Sequence, residues 1–288
     1  LAETRGAIVE VNAGPSLLMH LKPAEGKPRP VGEAIAAHLF PKGENGRIPI
    51  VGITGSKGKT TVARLLADLV QLTGQPAGLA CSDGSFLGTR HLDKTDCASW
   101  AGGHRLLINR AVETAIMETG ARSIVAEGLP YDRCNVAVLT NIDPAEQVAD
   151  HYIETPEQLV NVLRTLVDVV LPEGVAVLNA DDALVAPLAP LCDGEVIFFS
   201  LTHDNPVVAA HRAEGRRAVI YRDGTLILAS GGQETLVTAP AAIDVAHEPG
   251  QAANYAAAAA AAWALAIAPD LIRAGIETHH AGLSRSAR

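Results

Sequence analysis

One run of ten residues constrains this chain more than any other: Gly52-Ile53-Thr54-Gly55-Ser56-Lys57-Gly58-Lys59-Thr60-Thr61. It follows an apolar run at 48–53 that reads as a buried strand. It opens a stretch at 59–72 whose apolar residues, Val62, Leu65, Leu66, Leu69 and Val70, fall at helical spacing. A Gly-rich turn from strand to helix is the context a phosphate-binding loop requires. Small residues let successive backbone N–H groups turn inward around an anion, and the helix N-terminus adds partial positive charge. Lys59 can then reach the β- and γ-phosphates of a nucleotide, and the Thr60 hydroxyl can hold Mg2+. The pattern G-x-x-x-x-G-K-[ST] is not met, because its first position falls on Ile53. The tighter form T-G-x-x-G-K-T-T fits fully, from Thr54 to Thr61.

The rest of the chain reads as strands alternating with helices. Further buried strands are expected at 76–81, 123–127, 136–140 and 175–179, and helices at 31–40, 105–114 and 156–170. Short β runs alternating with amphipathic helices argue for an α/β fold, a mostly parallel sheet with helices on both faces. After Gly194 the rhythm changes. Short strands at 196–200, 206–211, 217–221 and 225–229, with Asp223-Gly224 as a hairpin turn, point to a small antiparallel subsheet near 197–237. An Ala-rich helix at 251–267 and a shorter one at 270–278 follow, and then an irregular tail.

Composition narrows the partners. The 288 residues are 48% apolar but only 3% aromatic, so Ala, Val, Ile and Leu must build the core. A net charge of −9 runs against a nucleic-acid-binding role. It does not oppose a nucleotide, whose phosphates can be met locally by backbone N–H groups. The longest apolar run, at 256–268, is too short to span a membrane. The four cysteines (Cys81, Cys97, Cys134 and Cys192) form no CxxC pair and fit no zinc spacing, so free thiols in a reducing cytoplasm are expected. The first residues carry no apolar leader, and a chain beginning at Leu1 is expected to be processed or part of something longer. Oligomeric state stays open, a homo-oligomer included.

Thr54 to Thr61 resembles the ATP loop of the Mur ligase superfamily. Three further blocks narrow the likeness to cyanophycin synthetases. They are Glu127-Gly128-Leu129-Pro130-Tyr131-Asp132-Arg133-Cys134-Asn135-Val136-Ala137-Val138-Leu139-Thr140-Asn141-Ile142, then Val170-Leu171-Pro172-Glu173-Gly174 with Leu178-Asn179-Ala180-Asp181-Asp182, and Ile8-Val9-Glu10-Val11-Asn12-Ala13-Gly14-Pro15 with Met19-His20. That family makes a polymer of aspartate and arginine. An ATP-grasp module adds aspartate, and a Mur-like module adds arginine to the aspartate side chain, each through an acyl phosphate. The resemblance implies a remnant of the ATP-grasp domain at 1–22, a Pro/Gly-rich linker at 23–47, a central ATP-binding domain at 48–278 and an irregular tail at 279–288. The closing C-terminal domain would lie outside this chain.

The resemblance also implies roles. Lys59 would hold the transferring phosphoryl group within the loop Thr54, Gly55, Ser56, Lys57, Gly58, Thr60 and Thr61. Glu118 would join Thr60 on Mg2+, and Asn254 would contact adenine. Glu10 and Asn12 match the last Mg2+ ligands of an ATP-grasp site whose other parts are missing, so a leftover strand is expected there. Asn179, Asp181 and Asp182 stay open between ligand contacts at a strand end and an ordinary turn with a helix cap. His151 beside Asp150 reads more simply as a surface pair than as a metal ligand. Some positions depart from the family. Where it places Asp-His before Thr155, this chain has Ala145-Glu146 or Glu146-Gln147, depending on register. Where it places a lysine, Leu163 stands. The acidic motif reads Glu118-Thr119-Gly120-Ala121-Arg122. Two expectations follow: an ATP-dependent amide ligase acting on arginine and the aspartate–arginine polymer, or a nucleotide-binding or structural module of a Mur-ligase-like assembly without turnover. A different Mur-type ligase, acting on peptidoglycan precursors or folates, fits the 127–142 block less well.

Overall fold

The computed structural model describes residues 11–14, 16–41, 46–238 and 249–286. The chain forms two compact units, Leu1–Arg47 and Ile48–Arg288. Among its described residues the first holds two short helices, α1 (Leu18–Leu21) and α2 (Val31–Leu39), the latter entered from Pro30. The strand expected near 7–11 lies almost wholly outside the described residues.

In the second unit, apolar runs flanked by turns become strands: β1 (Ile50–Thr54), β2 (Ala77–Cys81), β3 (Gly84–Leu87), β4 (Arg90–Asp93), β5 (Thr114–Glu118), β6 (Cys134–Leu139), β7 (Val170–Asn179), β8 (Glu195–Ser200), β9 (Arg217–Arg222), β10 (Thr225–Ser230) and β11 (Gln233–Leu236). They form one sheet in the order β11-β10-β9-β8-β7-β6-β1-β5-β2-β3-β4. The seven strands from β9 to β2 run parallel, and antiparallel strands finish both edges. The expected antiparallel part is thus β9-β10-β11, joined to the main sheet by the parallel β8–β9 pair. Its hairpin turns at Asp223 and Gly224, both at positive φ. The second antiparallel edge, β3 and β4, has no counterpart in the sequence reading.

Helices cover both faces. On one lie α3 (Lys59–Gln71), α9 (Pro249–Ala264) and α10 (Pro269–Ser286), packed on Val51, Ile53, Val136, Val138, Ile197 and Phe199. Ala256 to Ala262 are each no more than 1% exposed. Their small side chains let the α9 backbone approach both α3 and the strands β6 to β9. The other face carries α4 (Trp100–Leu107), α5 (Ala121–Glu127), α6 (Pro156–Leu163), α7 (Thr165–Asp168) and α8 (Pro206–Ala213) over a second apolar layer. No helix among the described residues is long and apolar enough to cross a membrane.

Several expected elements differ. Residues 123–127, expected as a strand, are helix α5, which buries Ala121 and Ile124 on one face. The strand is instead Thr114–Glu118, buried throughout, so the helix expected at 105–114 ends at Leu107. Residues 206–211, also expected as a strand, begin α8. Asn205 accepts from the N–H groups of Val207 and Val208, and Pro206 sits in the first turn, a helix-start signature that outweighs Val207-Val208. The final helix extends through Ser286, well past 278.

Candidate functional site

The chain leaves the central strand β1 to one side for β5 and β2, and to the other for β6, β7 and β8. In open parallel sheets, ligands bind beyond the strand C-termini at such a switch point. The C-terminal ends of β1, β5 and β6 here deliver Thr54, Glu118 and Thr140 to one place.

The loop is built from that edge outward. Thr54 is fully buried, and its hydroxyl donates to the Thr119 carbonyl at 2.6 Å. Gly55 has φ +129°, and a Cβ there would lie 2.3 Å from Thr140 Oγ1, so only glycine passes. The Ser56 N–H donates to the Asn141 carbonyl at 2.9 Å, and Ser56 Oγ accepts from the Asp143 N–H at 2.7 Å. Lys57 Nζ pairs with Asp143 Oδ2 at 2.9 Å. The hydrogen bond and charge of Asp143 hold the lysine above its ordinary pKa and, reciprocally, the carboxyl below its own. Gly58, at φ +85°, is the N-cap of α3.

Lys59 Nζ donates to the carbonyls of Gly55 (2.8 Å) and Ser56 (3.1 Å), so its ammonium lies over the loop. Thr60 Oγ1 donates to Glu118 Oε1 at 3.0 Å, and Thr61 follows on α3. The structure thus joins Thr60 to Glu118 and sets Asn254 Oδ1 against Gly58, where a Cβ would lie 2.0 Å away. A shallow cavity of about 90 Å³ opens beside the loop, lined by Lys57, Gly58, Asn141, Phe199, Ala253 and Asn254.

Glu118 is only 3% exposed, and a buried carboxylate needs partners. The N–H of Ser82 donates to its Oε2 and the Ser82 hydroxyl to its Oε1, both at 3.0 Å. Ser82 was not singled out from the sequence. The available signal was its place just after a predicted strand, where parallel sheets present ligand-binding residues. Among the described residues no cluster of three or more His, Cys, Asp or Glu side chains could hold a metal ion. Mg2+ needs none, since it keeps several waters and takes one or two carboxylates together with substrate phosphates. The hard oxygens of Glu118, Thr60 and Ser82 fit that requirement.

Asp182 accepts from the N–H groups of Ile142, Leu184 and Val185, and Asn179 donates to the Thr140 carbonyl. Burial pushes the Asp181 carboxyl up. Hydrogen bonds from Ser200, the Leu201 N–H, Thr202 and Asn205 outweigh it and hold the group below the usual range. His151 lies 3.7 Å from Asp150, which pairs with Arg122. Gln147 is exposed and donates to the Glu154 carbonyl, while Leu163 is fully buried in the core. Asn12 is exposed, and Glu10 lies outside the described residues.

Residues 53–262 match the Mur ligase middle domain. Cyanophycin synthetase of Trichormus variabilis is 35% identical across 99% of this chain and 32% of its own length. That of Synechocystis sp. is 36% identical across 96% and 32%. The chain therefore spans about a third of the curated relatives it matches. A solved UDP-N-acetylmuramoyl-L-alanyl-D-glutamate–2,6-diaminopimelate ligase shares the fold, with a TM-score of 0.61 at 19% identity, over 80% of this chain and 46% of that one. With its middle-domain match covering most of the sequence and its loop at the switch point of the sheet, the chain belongs to the Mur ligase family.

Proposed function

We propose that this chain supplies the ATP site of an ATP-dependent carboxylate–amine ligase of the cyanophycin synthetase type. The reaction adds arginine to the aspartate side chain of an aspartate–arginine polymer through an acyl phosphate. The observation that carries the reading is the Thr60–Glu118 contact at 3.0 Å, which places a buried carboxylate against the hydroxyl that ends the phosphate loop. Phosphoryl transfer is chiefly a matter of positioning and charge neutralisation. The backbone of Thr54 to Gly58 shapes the cradle, and Thr60 and Thr61 extend it into α3. Lys59 exchanges its two carbonyl partners for phosphate oxygens. Asn254 and the cavity beside it take the adenine. Glu118, Thr60 and Ser82 would hold Mg2+, which when bound neutralises phosphate charge. Arginine and the polymer are the expected acceptor substrates. Four free thiols suit a cytoplasmic setting.

A nucleotide-binding module without turnover is the second reading. It is favoured by Leu163, buried where the family has a lysine, and by Gln147, which is engaged with a backbone carbonyl instead of a site. Calorimetric titration of MgATP into the chain and into Lys59→Ala tests the shared part. Binding is expected in the first, with a loss of about tenfold or more in the variant, since charge-assisted bonds to phosphate contribute about 1.5–3 kcal/mol. Equal affinity in the two would overturn it. Phosphate release that requires both arginine and an aspartate–arginine primer separates the ligase from the inactive module.

A further inference from the structure

Asn141 lines the cavity beside the loop, where an asparagine would be expected to read a base. Its carboxamide is already committed. Oδ1 accepts from the Lys57 N–H at 3.0 Å, and Nδ2 donates to the Lys57 carbonyl at 2.9 Å. Thr140 Oγ1 donates to that same carbonyl at 2.7 Å, and the Asn141 carbonyl takes the Ser56 N–H at 2.9 Å. Asn179 in turn fixes the Thr140 carbonyl from β7, at 2.8 Å. Turning the Asn141 amide towards a ligand would break two bonds at once and leave the Lys57 carbonyl to Thr140 alone.

The clamp has a geometric consequence. A trans peptide points its C=O and N–H in opposite directions. Holding the Lys57 carbonyl towards the end of β6 therefore aims the Gly58 N–H away from it. That N–H joins the first-turn N–H groups of α3, which have no intrahelical partners. Two donors that face β6, the N–H groups of Ser56 and Lys57, are occupied by Asn141, and those from Gly58 onward are left for an anion.

We propose that Asn141 is a positioning residue of the phosphate loop and does not read the base: its clamp on the Lys57 peptide presets the loop for phosphate. The inference rests on the nucleotide-binding reading above and adds a division of labour, with Asn141 serving the phosphates and Asn254 left to the base. The test compares the full chain with Asn141→Ala and with Thr140→Val, which removes one donor to the Lys57 carbonyl and keeps the side-chain shape. MgATP, MgGTP and Mg-tripolyphosphate are titrated, and hydrogen exchange is followed across residues 55–58. In Asn141→Ala, MgATP and Mg-tripolyphosphate should weaken by a common factor of about ten- to thirtyfold, the scale of two lost hydrogen bonds. The ATP-to-GTP preference should hold, and the Ser56 and Lys57 amides should exchange faster while the core strands keep their protection. Thr140→Val should move the same quantities in the same direction by less. Weakened ATP with unchanged tripolyphosphate, or a collapsed ATP-to-GTP preference, would make Asn141 a base reader and overturn the proposal. If the unaltered chain binds neither ATP nor tripolyphosphate, the nucleotide reading fails, and exchange alone decides the clamp. Unchanged rates at Ser56 and Lys57 in Asn141→Ala then refute it, and faster rates uphold it.

Discussion

Replacing Gly58 by alanine should separate the stability of the phosphate loop from its chemistry. Gly58 sits at φ +85°, and a Cβ there would lie 2.0 Å from Asn254 Oδ1 and 2.9 Å from its Cγ. An L-residue in the left-handed region costs about 1–2 kcal/mol. For a unit of this size that lowers Tm by roughly 2–8 °C. The clash adds little to stability, because the obstructing atom is the tip of a side chain that can rotate away. Asn254 is nevertheless driven from the position where it would meet adenine. One hydrogen bond is worth about 0.5–1.5 kcal/mol, so Asn254→Ala alone should weaken MgATP by about two- to twelvefold, and Gly58→Ala by at least as much. In the double variant the effects on melting should add, whereas the binding loss should not exceed that of Gly58→Ala by itself. Differential scanning calorimetry and MgATP titration of the four proteins read both quantities. Wild-type affinity in Gly58→Ala, or binding losses that simply add, would refute the coupling of Gly58 to Asn254.

Two further perturbations test the surroundings of the site. Leu163→Lys, which writes back the lysine expected from the family, should restore nothing: Leu163 is fully buried beside Leu159 and Leu166, and an unpaired buried charge costs about 3–5 kcal/mol or more. A chemical-denaturation midpoint close to that of the unaltered chain would show instead that α6 opens to solvent there. The second concerns acid. The Asp181 carboxyl is held below its ordinary value in the folded chain, so its contribution is present above about pH 4, the unfolded value, and fades as pH falls through the folded one. Asp181→Asn should therefore be less stable than the unaltered chain near neutrality, with the gap narrowing below about pH 4 in urea midpoints. A gap that stays constant into acid would show that Asp181 acts through packing and not through its charge.

What the sequence disclosed follows distance along the chain. Thr54 to Thr61 is contiguous, and its context depends only on the neighbouring strand and helix, so it was legible residue by residue. Asn205-Pro206 was equally local, yet Val207-Val208 drew the reading towards a strand, because β-branched pairs serve both elements and the cap decides between them. Glu118 is a candidate by resemblance alone, for periodicity places a helix before it and a strand after it. The partnership of Glu118 with Thr60 spans 58 residues and that of Asn141 with Lys57 spans 84, and no local pattern encodes either. Both depend on register. Ile53 pairs with Glu118 across β1 and β5, and Thr54 with Leu139 across β1 and β6. Alternation then puts Glu118 on the same face as Ile116, towards α3 and Thr60, while Met117 faces the opposite layer. A slip of one residue in β5 would carry Glu118 to the face of α4 and bring Met117 against the loop. The five buried residues of β5 thus do more than fill the core, because their pairing with β1 decides whether the phosphate loop has a carboxylate beside it.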